Sequence, residues 1–576
     1  REVEALQRLH NSTRGEFWRW RSEALSGPRW DFSRDASGAF EQDPCSSAWQ
    51  GLTCSSAPEL CSSQTCHITE LALSQYSLSG FIPSEVGDLE QLRVLDLDNN
   101  QLTGSLPAEV GQLLNLQEML LFNNTLTGPI PTEVGSLVQL VTFDIINNAL
   151  TGSIPGEIGQ LVTLQNLILF NNFLTGPLPG EIGSMLNLKI LSLFNNRLTG
   201  TIPSELVKVK SLEWIGFGQN LLSGTIPSGL SDLVFLDEFS FVGNHLTGTI
   251  PSEFGNFSSL DFFGVAHNAL TGTIPPELGN VVTIHNLLLH NNYLSGSIPG
   301  ELSGLNRMDF LYLHSNTLTG TIPREITTML ELNGIVVANN ALTGSIPEEI
   351  TSLTQLAYLD IHNNLLTGTI LPAIGNLENI FWLYLQGNFL TGSIPLEIGN
   401  LKRLTFVGFN ENLLSGIIPS DMGKLVNLQN LVLRDNLLTG PIFDTIGNLT
   451  ILAEFDVESN AITGILPREI FNLAGVEVLQ MQHNSLSGSI PSEIGLLANL
   501  KWFVLNGNML SGTLPVALGI LTQLEQIDLS DNRLAGSLPS EAGSLLNVEV
   551  LDLSKNFFTN TIPSELGQLT NLRSVF

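Results

Sequence analysis

One asparagine recurs every 24 residues along this chain, without a single insertion or deletion. The column runs through Asn100, Asn124, Asn148, Asn172, Asn196, Asn220, Asn244, Asn268, Asn292 and Asn316. It continues through Asn340, Asn364, Asn388, Asn412, Asn436, Asn460, Asn484, Asn508, Asn532 and Asn556. Residues 92–113, LRVLDLDNNQLTGSLPAEVGQL, show the frame around it: L-x-x-L-x-L-x-x-N-x-L-x-G-x-[IL]-P-x-E-[IV]-G-x-L. A fixed period in this range describes stacked turns, each covering only its neighbours. A length of 576 residues would ordinarily imply several domains, but a stack grows linearly and needs no second core.

Each part of the frame has a physical task. The alternation Leu95-x-Leu97 predicts a short strand with one buried face, so that successive turns build a parallel sheet. The chain then turns a corner, which leaves backbone groups without strand partners. An amide side chain carries donors and an acceptor, so Asn100 can satisfy its own turn and the next. Gly104 permits close backbone approach. Pro107 followed by Ala-Glu109-Val-Gly111 predicts a short helical turn, with Pro at its first position and a carboxylate near its positive end.

The L-x-G-x-I-P segment after the asparagine appears as residues 126–131 (LTGPIP), 198–203 (LTGTIP) and 486–491 (LSGSIP). It resembles the plant-type extracellular leucine-rich repeat of receptor kinase ectodomains, receptor-like proteins and polygalacturonase inhibitors, with similar repeats in algae. The resemblance extends from about Glu70 to the last residue. It implies an α/β solenoid: a leucine-rich repeat superhelix with a parallel concave β-sheet, short 3-10 turns on the convex side and a disulfide-stapled N-terminal cap. The division expected is a cysteine-containing cap over 1–69 and 24-residue repeats over 70–576, 21 of them plus a truncated one. Leu371 and Phe443 replace the frame Pro, and Asn560 the frame Gly, which puts local turn geometry in question there.

Residues 1–69 do not repeat. Glu2 to His10 has helical spacing, and Phe17 to Arg21 reads as the continuation into a second amphipathic helix before the Gly27-Pro28 break. The segment C-x-x-x-W-x-G-x-x-C, from Cys45 through Trp49 to Cys54, resembles the family's cap. It implies a cover over the first turn, with Trp49 packed against a disulfide. Trp18, Trp20 and Trp49 read as cap core, with a binding patch as the alternative. All four cysteines lie here, at Cys45, Cys54, Cys61 and Cys66. Even number and clustering favour disulfides and an oxidising compartment, and the spacings are not those of a zinc finger or ribbon. Of three pairings we expect Cys45–Cys54 with Cys61–Cys66. Four N-x-[ST] sequons, at Asn11, Asn123, Asn256 and Asn448, are glycosylation candidates.

The chain begins at Arg1 without Met, and its frame restarts at Leu572 and stops before the next asparagine. Membrane attachment is therefore expected only through a segment outside this sequence, since no apolar run reaches the roughly 18 residues a span needs. A net charge of −32 with only 23 Lys and Arg argues against nucleic acid. Much of that charge is one frame column, of which Glu325 and Glu349 are members. It reads as a solvated stripe on the convex side, with calcium bridging as the alternative.

No nucleophile elbow, phosphate loop, H-E-x-x-H or EF-hand loop is present, so neither an enzyme nor a cofactor is expected. Function is expected on the concave sheet, at positions six, four and two residues before each asparagine and at its immediate neighbours. Early turns carry Phe122, Phe170 and Phe194 there. Middle turns carry Trp214 and Phe262, then Phe310, Tyr312, Tyr358, Asp360, Trp382 and Tyr384. His290, His314 and His362 share the minus-two column, the first two expected one strand apart at ~4.8 Å. Later turns become polar at Arg434, Asp435, Glu454, Asp456 and Glu458. Exposed rigid aromatics suit recognition of a protein, peptide or glycan, against the plainer reading of aromatic surface cover. The histidines read as exposed polar filling, or as anion, pH-sensitive or weak metal contacts. The leading expectation is a secreted or cell-surface recognition module, the ectodomain of a receptor-like protein. The rivals are a structural or adhesive protein whose stacks self-associate, and an inhibitor of secreted hydrolases.

Overall fold

A computed structural model describes residues 1–61 and 65–576. It contains two compact units, Arg1–Tyr293 and Leu294–Phe576. In both, most turns of the chain deliver a short strand, a corner, a short second extended segment and a 3-10 turn.

In the first unit the strands run parallel and in register at the 24-residue offset. Glu70 pairs with Val94, Val94 with Glu118, and the series continues through Trp214, Glu238 and Phe262 to Asn286. Strand Leu52–Cys54 pairs antiparallel with Ile68–Ala72 and thereby covers the N-terminal edge of that sheet. A covered edge cannot pair with another chain. The second unit repeats the arrangement from Phe310–Tyr312 to Ser574–Val575. On its far side, the segments from Thr391–Gly392 to Phe557–Phe558 form a second parallel sheet.

The frame leucines are the core. Leu92, Leu95, Leu97, Leu102, Val110, Leu113 and Leu116 are all fully buried. Removing one such leucine to alanine costs about 2–5 kcal/mol in a close-packed interior. From Phe217 to Phe263 phenylalanines join the leucines in the core: Phe239 lies 4.2 Å from Phe241 and 5.2 Å from Phe263, ring centre to ring centre.

The asparagine column is a hydrogen-bonded ladder, but it reaches backwards. Asn100 Nδ2 donates to the carbonyls of Leu97 (3.0 Å), Asp98 (2.9 Å) and Leu73 (2.8 Å), and Oδ1 accepts from the Leu78 amide (2.9 Å). Its second turn is thus the preceding one, not the next. In a parallel strand the N–H and C=O of one residue point to the same neighbour, and Leu73 points onward, with its N–H on Asp96. There the Asp98 amide donates to the Asp96 carboxylate at 3.2 Å instead, so the Asn100 side chain supplies the missing donor.

Three further expectations are corrected or settled. Pro107 is the N-cap, extended at φ −72° and ψ 145°, and the 3-10 turn starts one residue later at Ala108–Gln112. Leu371 and Phe443 adopt the same backbone as the prolines they replace, and Asn560 keeps a positive φ of 69° like the frame glycines, so none of the three turns is lost. Phe17 to Arg21 is not helical beyond the short turn Gly15–Phe17. Trp18 is extended at ψ 142°, its indole N–H donates to the Thr13 carbonyl, and the Arg19 amide donates to the Tyr76 carbonyl. Aromatic packing against Trp30 and Tyr76 outweighs the helical pattern.

The N-terminal region carries the expected disulfides, Cys45–Cys54 and Cys61–Cys66, with Cα separations of 5.7 and 5.4 Å. Trp18, Trp30 and Trp49 are buried, and Trp49 lies 6.0 Å from Trp30 and 5.1 Å from Phe32. Trp20 is only half-buried. No helix among the described residues is long and apolar enough to cross a membrane.

Candidate functional site

Strand alternation sorts the second unit's side chains by face. Leu311, Leu359, Ile361, Leu383 and Leu385 are fully buried, while Phe310, Tyr312, Tyr358, Asp360, His362, Trp382 and Tyr384 stand on the opposite, half-exposed face. Register places Tyr358 beside Trp382 and Asp360 beside Tyr384. The strand before them, Gly334–Val336, contributes only small residues to this face. Phe310 leans into the space: a Cβ on Gly334 would lie 2.2 Å from its ring. The leaning ring comes within 5.7 Å of Tyr358 and stacks on Tyr312 at 5.3 Å.

The result is a cavity of about 540 Å³ lined by Phe310, Tyr312, Val336, Tyr358, Asp360, His362, Trp382, Tyr384 and Gln386. Tyr358 and Trp382 meet nearly at right angles, 83° at 4.6 Å, and form one corner. Tyr384 backs on Phe406 at 4.5 Å. Sequence reasoning had named seven of these residues. It missed Val336 and Gln386, and the signal available was Gly334, a glycine inside an aromatic column.

The polar members are ordered by a short network. His362 Nδ1 lies 2.5 Å from Asp360 Oδ1, and its Nε2 lies 3.2 Å from Asn339 Nδ2. Asn339 Oδ1 accepts from Asn363 Nδ2 at 2.9 Å. Burial, and then the negative charge of Asp360, holds the Tyr384 hydroxyl above the usual tyrosine range. Burial and then Tyr358 do the same to Tyr312. His314 stands 6.3 Å from Tyr312 and is not part of the lining.

In the first unit Phe122, Phe170, Phe194, Trp214, Phe262 and His290 occupy the expected face. Phe194 lies over Gly218 and Phe262 over Gly264, each within 2.7 Å of where a Cβ would sit. His290 is 5.1 Å from His267. Trp214 and Phe262 flank Glu238 in register. Burial there, reinforced by Asp237 and Asp261, pushes the Glu238 carboxyl up to about 7.

The later polar turns converge on Arg434, which lies 3.7 Å from Glu411, 3.8 Å from Asp435 and 3.7 Å from Asp456. Asp456 is fully buried, and that burial pushes its carboxyl up to about 6. Among the described residues no group of three or more His, Cys, Asp or Glu is placed to hold a metal ion. The sequon asparagines Asn11, Asn123, Asn256 and Asn448 are exposed. Asn123, however, belongs to a surface amide ladder, donating to Asn99 at 2.8 Å and accepting from Asn147 at 2.6 Å.

The leucine-rich repeat family profile matches residues 91–113, 187–209, 355–377, 379–401, 427–449, 475–497, 523–545 and 547–569. Comparison with curated protein sequences gives no match. Among solved structures, the plant peptide hormone receptor RGFR1 in complex with RGF2 is 33% identical. The alignment covers 92% of this chain and 94% of that one, at a TM-score of 0.82. The Arabidopsis receptor kinase HAESA ectodomain, with an N-terminally extended IDA peptide hormone, is 31% identical over 100% of this chain and 92% of that one, at 0.79. The ectodomain of the Arabidopsis thaliana membrane receptor kinase GASSHO1/SCHENGEN3, with CASPARIAN STRIP INTEGRITY FACTOR 2, is 32% identical over 100% and 72%, at 0.77. With the 24-residue frame, the asparagine ladder and these full-length likenesses, the chain belongs to the leucine-rich repeat family, in the plant-type extracellular class.

Proposed function

We propose that this chain is the ligand-recognition module of an extracellular receptor-like protein, and that it takes a peptide or protein partner on the exposed strand face. The aromatic cavity of the second unit is its main anchor. One observation carries the reading: five aromatic side chains from three of four successive strands surround one open cavity, although nothing in the frame requires aromatics there. Rigid aromatics offer large contact area with few rotors to freeze, which is the character of binding hot spots. Two relatives above 30% identity, the peptide hormone receptor RGFR1 with RGF2 and HAESA with the IDA peptide hormone, support a peptide as the class of partner. Residues 1–69 act as the N-terminal cap, and their two disulfides and the exposed sequons fit an extracellular protein.

The test is a Trp382→Ala, Tyr384→Ala double variant, compared with Glu325→Gln, Glu349→Gln on the 3-10 turn side. Partner capture from extracellular fluid should weaken at least tenfold in the first, about 2 kcal/mol or more for truncated anchors, at an unchanged melting temperature. The second should bind like the parent. Loss of capture in the turn-side variant alone would remove the site and favour an adhesive role.

A further inference from the structure

The cavity's chemistry narrows what enters it, given the recognition role proposed above. Asn363 Nδ2 donates to Asn339 Oδ1 at 2.9 Å, so the Asn339 Nδ2 hydrogens face His362. His362 Nε2 must then accept, and the imidazole proton sits on Nδ1, where it is donated to Asp360 at 2.5 Å. The histidine is spent on orienting the carboxylate. No Lys or Arg lines the cavity, so Asp360 is its single formal charge. The Asp360 field is felt across the space, since it helps hold the Tyr384 hydroxyl protonated.

Tyr358, Trp382 and Tyr384 line the cavity with that carboxylate, Tyr358 and Trp382 at 83° to each other. Ring faces carry negative quadrupole, tryptophan most of all. A lone carboxylate among aromatic rings is the reverse of a carboxylate receptor. We propose that this cavity takes a cationic side chain of a peptide, the ammonium of lysine or the guanidinium of arginine. The charged head sits against Asp360, and the alkyl stem lies along Trp382 and Tyr384.

The experiment uses the whole chain and blocked tripeptides with lysine, arginine or norleucine between glycines, followed by saturation-transfer NMR. A neutral disaccharide serves as a fourth probe. The lysine and arginine peptides should bind about five- to tenfold more tightly than norleucine, in line with cation–π and ion-pair contributions at a half-buried site. Asp360→Asn should cut that preference severalfold while leaving norleucine contact intact, and Trp382→Leu should weaken both cationic probes. If Asp360→Asn does not fold, the lysine-to-norleucine comparison on the parent chain decides alone. Equal binding of lysine and norleucine, binding of the disaccharide only, or binding of none would overturn the proposal. The broader reading is judged separately: capture of a natural partner that is lost in Trp382→Ala, Tyr384→Ala but kept in Asp360→Asn leaves the site standing and removes only its cation.

Discussion

The ladder asparagine is the residue on which each turn depends. Asn364 is 4% exposed and donates to Val337, Ile361 and His362 carbonyls while accepting from the Leu342 amide. Asn364→Ala leaves buried backbone groups unpaired and should cost about 1–3 kcal/mol, read as a lowered denaturation midpoint. An unchanged midpoint would mean that water replaces the side chain there. The ladder was legible in the sequence because a buried amide at a corner has few other uses. Its direction was not, since that follows from which way strand carbonyls point. A second regularity also went unread. The residue before each ladder asparagine has positive φ, 49° at Asn99, 53° at Asn123 and 54° at Glu411. Asparagine, aspartate and glycine tolerate that region best, which explains the frequent Asn-Asn pair. The hydroxyl column after it has a structural role too: Thr247 and Thr271 donate to the Gly224 and Gly248 carbonyls of the turn before.

At the scale of elements, strand alternation told which side chains would face outwards, and the second unit bears that out at Tyr358, Trp382 and Tyr384. What alternation could not give is lateral closure: the cavity exists because Gly334 lets Phe310 fall sideways. The segment Phe17 to Arg21 failed as a helix because tryptophan packing competes with backbone periodicity, and spacing reports only the latter. The N-terminal element should depend on its bridges. Cys45→Ala, Cys54→Ala should open residues before Glu70 to limited proteolysis and cost about 2–5 kcal/mol, and intact mass of the parent should show no free thiol. Proteolysis beginning elsewhere would contradict that dependence.

Glu238 gives strand Glu238–Ser240 a pH signature. Its carboxyl is raised to about 7 in the folded chain, so folding binds the proton more tightly than the unfolded state does. The stabilisation is full below the ordinary glutamate range and is lost as pH rises through about 7. Asp144 and Asp456, both raised to about 6, act in the same direction. The melting temperature should therefore rise on acidification from pH 8 to pH 5.5, and Glu238→Gln should flatten the upper part of that slope. A variant with the parent's slope would place the titration elsewhere.

For the whole molecule, the sequence settled the repeat architecture and left the partner open, because the frame encodes stacking and only off-frame positions encode recognition. The charge of −32 is a case in point. Much of it lies in the turn-side column around Glu325 and Glu349 and says little about binding. One carboxylate among aromatics, Asp360, says more. The most direct test is hydroxyl-radical footprinting with and without bound partner, read residue by residue by mass spectrometry. Oxidation of Tyr358, Trp382 and Tyr384 should fall severalfold on binding, while Phe235, 62% exposed, and Phe557, 65% exposed, should be oxidised as before. Unchanged oxidation of the three cavity aromatics in a saturated complex would contradict recognition at this face.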